Sequence, residues 1–543
     1  MRQRVRFSSA AAIGAVVSVT IAGVALSALT GPSTAQSPYV LPAAPGVETT
    51  SLLSVGDTVG AYRMVGLPDG LGAFDNGDDT FTLVMNHEIV NPGGVIRAHG
   101  GRSAFVSKWT IEKDSMSVLS GTDLMQRVYM WNTAAQASET VSTNFSFTRF
   151  CSGDLPAVSA FYNPQTGLGT QARIYMHGEE GGATGWQLGS VVTGPEAGNT
   201  YALGKFNLTT NGSGLTGVGA WENALANPYP QDTTIVIANS DGGTGIMTNA
   251  VAVYVGKKQK TGSEVEKAGL MNGSLRFVNV VGNPAEIVNA TTRATNITSG
   301  MRFTLSATAS TTFSRPEDGA WDPADPRQFY FVTTDQLDQV TDGVGAQIGR
   351  TRMWRLTFDN LAKPFDGGTI DLVIDGRMVG TERVNMFDNI TINAKSGVIV
   401  LLEDVGNAAH NGKVWLYNPA TDELTKIAKH DSARFGDIGV PATTPFNQDE
   451  ETSGVIDMSS ILGPGMYLTS DQAHYLINAA NPRGFSNPDE LVEGGQLLSL
   501  RVPYPVATEK NACKGGGWEG VFRTDGTTFK NQGDCIQYVN TGK

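Results

Sequence analysis

Apolar and polar residues alternate in short runs along most of the chain, and helical periodicity is rare. Short runs rich in β-branched and aromatic side chains, bounded by Gly, Asn and Asp, are typical of β-strands. Five of the runs lead directly into acidic residues, namely Glu179-Glu180, Asp241, Asp335, Glu403-Asp404 and Asp471. The pattern predicts an all-β protein with carboxylates at the ends of its strands.

A β-propeller explains why acids recur at strand ends. Equivalent strands of successive blades run in the same direction around a central channel, so that acids at equivalent ends meet at one mouth of it. In a β-sandwich the same acids would scatter over both ends of the sheets. We therefore predict a β-propeller with loop insertions. Its blade number stays open because the sequence has no fixed period. One short helix is expected around residues 263–268.

The two ends of the chain differ from the middle. Three arginines within the first six residues precede an apolar stretch and a run of small residues, which predicts a signal peptide over residues 1–35, with an uncleaved membrane anchor as the alternative. Residues 36–505 are predicted to form the propeller. Residues 506–543 are predicted to be a tail closed by a Cys513–Cys535 disulfide. The mature protein is expected to be secreted or periplasmic, without a membrane span, and monomeric.

Composition and charge argue against several classes of function. The 543 residues include 65 glycines, which suit tight turns between short strands, and the formal net charge is −13. Such an acidic surface disfavours binding to nucleic acid or to anionic lipid. The sequence contains neither a Gly-x-Ser-x-Gly nucleophile motif nor a phosphate-binding P-loop.

The segment 313–323 contains the most distinctive chemistry. Arg315 precedes Glu317 and Asp318, and Pro316 restricts the backbone between them. A guanidinium can bind phosphate through two parallel hydrogen bonds, while carboxylates bind hard cations. Cys151 lacks a predicted disulfide partner and lies between Arg149 and a Gly-containing turn, so metal ligation is favoured over an inert buried thiol.

Together these segments resemble the PhoX family of secreted alkaline phosphatases. The matching segments, in chain order, are Asn86-His87-Glu88, Cys151-Ser152-Gly153, Gly178-Glu179-Glu180-Gly181-Gly182, Arg315-Pro316-Glu317, Asp388-Asn389 and Glu451-Thr452-Ser453-Gly454. The chain looks like a divergent member, because the residues after Cys151 and around Glu222 depart from the family pattern.

The resemblance implies a propeller that hydrolyses phosphate monoesters with a cluster of calcium and ferric iron ions. Arg315 would hold the phosphate and, with Glu317, act in catalysis. The implied metal ligands are Cys151, Glu180, Glu317, Asp388 and Glu451, with Glu222 and Asp241 as further candidates.

Two other functions are compatible with the sequence. A calcium-binding propeller can hydrolyse another ester, in the manner of a phytase or a lactonase, although Arg315 favours phosphate over a neutral ester. Alternatively, the propeller is a secreted binding or scaffold protein in which calcium is purely structural.

Overall fold

The computed structural model describes residues 26–181, 185–341, 343–376 and 383–543. Most of the predicted signal peptide and Gly182 of the Gly-rich segment therefore lie outside the described residues. Among the described residues, strands predominate and the helices are short. No helix in these ranges is both long and apolar enough to span a membrane.

Six mainly antiparallel blades surround a central channel, so the fold is the predicted β-propeller. Their innermost strands contact one another in a closed ring. These strands, in the order of blades 1 to 6, are Pro68–Asp75, Gly153–Asp154, Trp221–Ala226, Pro316–Trp321, Phe387–Ile392 and Glu450–Asp457.

The first two blades follow each other in the chain. Blade 1 continues outward with Thr80–His87, Phe105–Glu112 and Val118–Asp123. Blade 2 continues with Ile174–Gly178, Gln187–Val191, Asn199–Ala202, Arg127–Asn132 and Ala137–Ser142. The last two strands of blade 2 precede its innermost strand in sequence, so this blade is completed from an earlier part of the chain.

Blades 3 and 4 form one nine-stranded sheet. Blade 3 continues outward with Thr233–Ser240, Val251–Lys257, Ser274–Val280 and Met301–Ser306, and blade 4 with Gln328–Thr333, Arg352–Phe358 and Gly368–Asp375. The outermost strands of the two blades pair, Met301 opposite Ile370. A shared apolar cluster that includes Phe303, Trp354 and Phe358 fills the space between them.

The N-terminal region closes the ring. Blade 5 continues with Ile399–Glu403, Lys413–Asn418, Glu423–His430 and Val40–Pro42, and blade 6 with Met466–Leu476, Glu493–Arg501, Glu48–Ser54 and Ser27–Thr30. Ser27–Thr30 lies within the predicted signal peptide and pairs in parallel with Glu48–Ser54. The division of the chain at residues 35 and 505 stays a prediction.

The remaining elements are small. Two-stranded sheets pair Thr58–Val59 with Tyr62–Arg63 and Tyr162–Asn163 with Leu168–Gly169. The α-helices are Glu264–Lys267, Ser432–Phe435, Ser459–Leu462, Ile477–Ala480 and Gln532–Thr541. Short 3₁₀ turns span Val158–Ala160, Gly204–Phe206, Gly245–Met247, Pro364–Asp366, Pro488–Glu490 and Gly517–Glu519.

Two local predictions are confirmed. The helix expected around residues 263–268 is Glu264–Lys267, and Ser263 begins it with a reciprocal capping box to Glu266. The Cys513–Cys535 disulfide is present. It lies within a small apolar cluster that includes Phe529 and Tyr538, so the tail packs partly on a core of its own.

Candidate functional site

Acidic residues meet at one mouth of the channel because of how the blades are paired. In each antiparallel blade, the innermost strand begins opposite the end of the second strand; Pro68 pairs with His87 and Pro316 with Thr333. Acids that begin innermost strands and acids that follow second strands therefore reach the same mouth. This confirms the propeller argument for Glu180, Asp241 and Asp404, which lie together there.

Bulges in the innermost strands bring further carboxylates to the mouth. The strand register shifts between Pro68 and Leu71, Trp221 and Asn223, Pro316 and Gly319, and Phe387 and Ile390. The residues inside these shifts include Asp69, Glu222, Glu317 and Asp388. A bulge re-aims a side chain that regular pairing would direct elsewhere. A bulge at the start of the innermost strand thus recurs in four blades.

The resulting pocket combines many buried anions with two cations. It is a cavity of about 30 Å³, lined by nine carboxylates, one thiol and two guanidiniums: Asp69, Glu88, Glu180, Glu222, Asp241, Glu317, Asp388, Asp404, Glu451, Cys151, Arg149 and Arg315. All eight residues predicted as site residues are in this list. Their roles as ligands or catalytic groups remain predictions.

Three groups in the pocket are compact enough to surround a cation. Within each group, potential ligand atoms lie within 4.8 Å of one another. The groups are Asp69, Glu88 and Cys151; Glu222, Glu317 and Asp388; and Asp388, Asp404 and Glu451. Asp388 belongs to two of the groups, so one carboxylate can link neighbouring ions.

Buried amide side chains orient these acids. Gln472 donates from Nε2 to Asp69 Oδ2 at 2.9 Å and to Glu88 Oε2 at 2.8 Å. Asn389 Nδ2 donates to Asp388 Oδ1 at 2.7 Å and to Ser152 Oγ at 2.9 Å, which links blade 5 to the Cys151 turn. Such supporting hydrogen bonds fix the orientation of metal ligands.

A glycine allows the strands of blades 1 and 6 to approach closely. Gly454 has φ +58°, and its N–H donates to Asn389 Oδ1. A Cβ at this position would lie 2.4 Å from the carbonyl oxygen of Asp69. A larger residue would therefore force apart the backbones that carry two of the acids.

Burial and mutual repulsion hold protons on several of these groups. Burial raises the pKa of Glu180 to about 8 and that of Glu222 to about 7. Burial, followed by nearby carboxylates, also raises the pKa of Asp69, Glu317, Asp388 and Glu451 well above the usual range. Burial opposes ionisation of Glu88 too, but Arg149 and Gln472 outweigh it and its pKa is lowered.

Opposing effects also act on the pKa of the Cys151 thiol. It donates to Glu180 Oε2 at 3.3 Å. Burial and the adjacent carboxylates raise its pKa well above the ordinary value, against the opposing effect of Arg149. The basic neighbour identified in the sequence therefore does not suffice to form a thiolate. A cation in direct contact would.

The pocket fits hard cations. Asp69 Oδ1 is buried and has no hydrogen-bond partner among the described residues. Carboxylate oxygens are the ligands preferred by calcium and other hard ions. Bound cations would satisfy these oxygens and offset the charge that burial otherwise penalises.

These pKa shifts predict how the metal-free protein responds to pH. Carboxyls with raised pKa in the folded state keep protons that the unfolded chain has released, so stability falls as pH rises from about 4.5, the unfolded value, through about 8. The slope is about 1.4 kcal/mol per pH unit for each such group. We expect the thermal midpoint in chelator to decrease from pH 5 to pH 8, and to change little with calcium present. An unchanged midpoint in chelator would contradict these shifts.

Four residues of the pocket were missed or left unassigned by sequence analysis. Asp69 was not considered, although Pro68-Asp69-Gly70 resembles Pro316-Glu317-Asp318-Gly319 and offered a signal. Glu88 was noted only as part of a motif and Asp404 only as a strand-end acid. Arg149 was noted only as a neighbour of Cys151.

Two of the five strand-end segments do not reach the pocket. Asp335 forms an ion pair with Arg293 and accepts from Ser314 Oγ at 2.8 Å. Asp471 lies inside the strand Met466–Leu476 and contacts His430 Nε2 at 2.6 Å. In both segments the carboxylate pairs with a basic side chain outside the pocket.

The buried Asp471–His430 pair should stabilise the fold. Nearby acids raise the pKa of His430 to about 9 against the opposing effect of burial. Burial also raises the pKa of Asp471 and so opposes its ionisation. The stabilising contribution from the raised pKa of His430 is fully present below about pH 6.5 and is lost as pH rises through 9. We expect Asp471→Asn to reduce the free energy of unfolding by about 3 kcal/mol at pH 6 and by less at pH 9.5. Denaturant unfolding measures this.

The exposed pair Arg302–Asp359 provides the control for that substitution. Asp359→Asn should change the free energy of unfolding far less than Asp471→Asn does at pH 6, and equally little at either pH, because solvent screens an exposed ion pair. Equal small effects of the two substitutions would show that the buried pair contributes nothing special.

Comparisons with known proteins support the fold. No protein-family model matches the chain, and no curated protein matches its sequence. The solved structure of Pseudomonas fluorescens PhoX in complex with vanadate, a transition-state analogue, is similar with a TM-score of 0.52 and 13% identity, covering 85% of this chain and 97% of PhoX.

Two further solved structures are less similar. The α-L-arabinofuranosidase Arb93A from Fusarium graminearum has a TM-score of 0.36 at 9% identity, covering 79% of this chain and 92% of its own. The Cps50 (Swd1) β-propeller domain of Myceliophthora thermophila has a TM-score of 0.34 at 8% identity, covering 84% and 100%. Of these three comparisons, the one with PhoX shows a distant relationship of fold.

Proposed function

We propose that the protein is a metal-dependent phosphatase that hydrolyses phosphate monoesters at the acidic mouth of its channel. The observation that carries this proposal is the position of Arg315. Its Nε donates to Asp241 Oδ2 at 3.0 Å, and its Nη2 lies 3.0 Å from Glu317 Oε1. A guanidinium is thereby fixed directly beside carboxylates that are grouped closely enough to hold cations.

Phosphate esters are the substrates that such a combination suits. Charge on a transferring phosphoryl group is spread over its non-bridging oxygens, which guanidiniums and cations stabilise together. A neutral ester would leave the Arg315 guanidinium without an anionic partner. The distant likeness to PhoX, which was solved with bound vanadate, agrees with an oxyanion as the ligand.

In this proposal the carboxylates bind cations and Arg315 binds the substrate. Glu222, Glu317, Asp388, Asp404 and Glu451 would hold cations, whose positive charge stabilises the oxygens that become more negative during the reaction. Arg315 would bind and orient the phosphoryl group. Its ion pairs with Asp241 and Glu317 fix the direction of the guanidinium before substrate arrives.

The chemistry of the donors suggests which ions are bound. The two groups that share Asp388 contain only carboxylates, which favours calcium. The third group adds the Cys151 thiol to Asp69 and Glu88, and a mixed sulfur and oxygen set suits iron better than calcium. We propose calcium at the former and ferric iron at the latter.

The disulfide between Cys513 and Cys535 suits an oxidising compartment. We therefore propose that the enzyme works outside the cytoplasm on small phosphate esters. Its monomeric state remains a prediction.

A set of substrates with one chromophore tests the reaction class. With added calcium and iron, we expect turnover of p-nitrophenyl phosphate, and at least 100-fold lower kcat/KM for p-nitrophenyl acetate and for bis(p-nitrophenyl) phosphate. Faster hydrolysis of the acetate would support a different esterase. Absence of turnover with all three would contradict the enzymatic proposal and favour a binding propeller.

A further inference from the structure

Arg149 and Arg315 occupy corresponding places in their blades. Each precedes the innermost strand, in blades 2 and 4 respectively, on either side of blade 3. The carbonyl oxygen of Arg149 accepts from Glu180 N–H at 2.9 Å, and that of Arg315 accepts from Thr334 N–H at 3.0 Å. Both donors follow the second strand of the same blade. The two arginines therefore reach the channel mouth by the same backbone route.

Both arginines have a backbone conformation that is unfavourable for their residue type. The φ angle is +46° at Arg149 and +59° at Arg315. The left-handed region costs about 1–2 kcal/mol for a residue with a Cβ, and such conformations cluster at functional sites. Leu67 and Met386, which precede the innermost strands of blades 1 and 5, have the same conformation, with φ +35° and +46°. The conformation therefore belongs to this backbone route in four blades, and blades 2 and 4 are the two of them in which it carries an arginine.

The side-chain contacts also correspond. Arg149 donates from Nε to Glu88 Oε1 at 2.6 Å, and its Nη2 lies 2.8 Å from Glu180 Oε2. Arg315 likewise directs Nε and Nη2 at two carboxylates. In both residues Nη1 takes no part in these ion pairs within the described part of the chain. Each guanidinium thus has donor capacity left for a ligand.

The two arginine side chains are more exposed to solvent than the carboxylates with which they form ion pairs. The side chains of Arg149 and Arg315 are 43% and 37% exposed, whereas those of their carboxylate partners are at most 14% exposed. The two guanidiniums are therefore more accessible to a ligand than the carboxylates that they pair with. Both guanidiniums line the same small cavity, of about 30 Å³.

We propose that Arg149 is a second phosphate-binding residue, which together with Arg315 forms a two-arginine clamp on the dianionic phosphoryl group. This inference rests on the proposed function and extends it. Two guanidiniums and the adjacent cations favour a terminal phosphate with two charges over a diester with one. The Cys151 turn, two residues further along the chain, would thus hold substrate as well as metal.

Binding of inorganic phosphate tests the clamp without requiring turnover. In the metal-loaded protein, we expect Arg149→Met to weaken phosphate binding, measured by calorimetry, by about 10- to 100-fold, as befits the loss of charged hydrogen bonds. The effect should persist in 1 M KCl, where the screening length is about 3 Å. Bound metal, measured by mass spectrometry, should be unchanged, and Arg149→Lys should restore only part of the affinity.

The outcomes separate the clamp from the proposed function. Unchanged phosphate affinity in Arg149→Met, or an effect that disappears in 1 M KCl, would overturn the clamp even if the wild type is an active phosphatase. A lower metal content in Arg149→Met would assign the residue to positioning Glu88 and Glu180 and would also overturn it. If the wild type binds phosphate through Arg149 but hydrolyses nothing, the clamp stands and the phosphatase proposal fails.

Discussion

Arg315→Met is expected to reduce kcat/KM for p-nitrophenyl phosphate by at least about 1,000-fold, the scale at which arginines contribute to phosphoryl transfer. The substitution removes the guanidinium that two carboxylates fix at the pocket. Methionine keeps much of the apolar volume, so the loss reports on charge and hydrogen bonding. Steady-state kinetics with saturating metal measures the effect.

The control for Arg315→Met is an arginine with the same chemistry outside the pocket. Arg302 pairs with Asp359 on the surface, where both side chains are about half exposed. Arg302→Met should leave kcat/KM within twofold of wild type. The account of Arg315 would be wrong if its substitution changed the rate as little as the control, or if the rate fell only because bound metal was lost.

Asp388→Asn is expected to change stability in opposite directions with and without metal. Asp388 belongs to two of the three possible cation groups, so its loss should remove two bound ions. Each lost ion costs about 4 kcal/mol of stability when the free metal concentration is 1,000 times the dissociation constant. In chelator at pH 8, burial and the neighbouring carboxylates make folding require that Asp388 take up a proton or carry an unfavourable charge. The neutral asparagine avoids that cost, which stabilises the fold.

Thermal unfolding at pH 8 in calcium and in chelator measures both directions of the Asp388→Asn effect. Compared with wild type, the variant should melt at a lower temperature in calcium and at a higher temperature in chelator. Asp359→Asn, an exposed carboxylate, should melt like wild type in both. A lower midpoint in chelator would mean that Asp388 has a structural role independent of cations.

Sequence patterning predicted the propeller and the strand-end acids of its pocket, whereas the resemblance to the PhoX family supplied Cys151, Asp388 and Glu451. Acids that follow second strands, such as Glu180 and Asp241, are readable because a strand run ends where the acid begins. The propeller geometry then requires equivalent ends to meet. Local chemistry in 313–323 likewise identified Arg315 and Glu317 as a unit, and the two lie together in the pocket.

The remaining features depend on pairing that the sequence does not display. A bulge at Asp69 shifts the register by an amount visible only when Pro68 is paired with His87. The number of blades was not readable because blade 2 uses the earlier strands Arg127–Asn132 and Ala137–Ser142. Asp471 looked like a pocket residue in sequence because its partner, His430, belongs to a different blade.

Metal-dependent turnover by the intact protein tests the central claim most directly. The initial rate of p-nitrophenyl phosphate hydrolysis should be measured for purified protein, for the same sample after chelation and dialysis, and after calcium and ferric iron are restored. We expect activity that is lost on chelation and recovered on restoration, in step with the metal bound. Activity that persists in protein shown to be free of metal would contradict the proposed role of the carboxylate cluster.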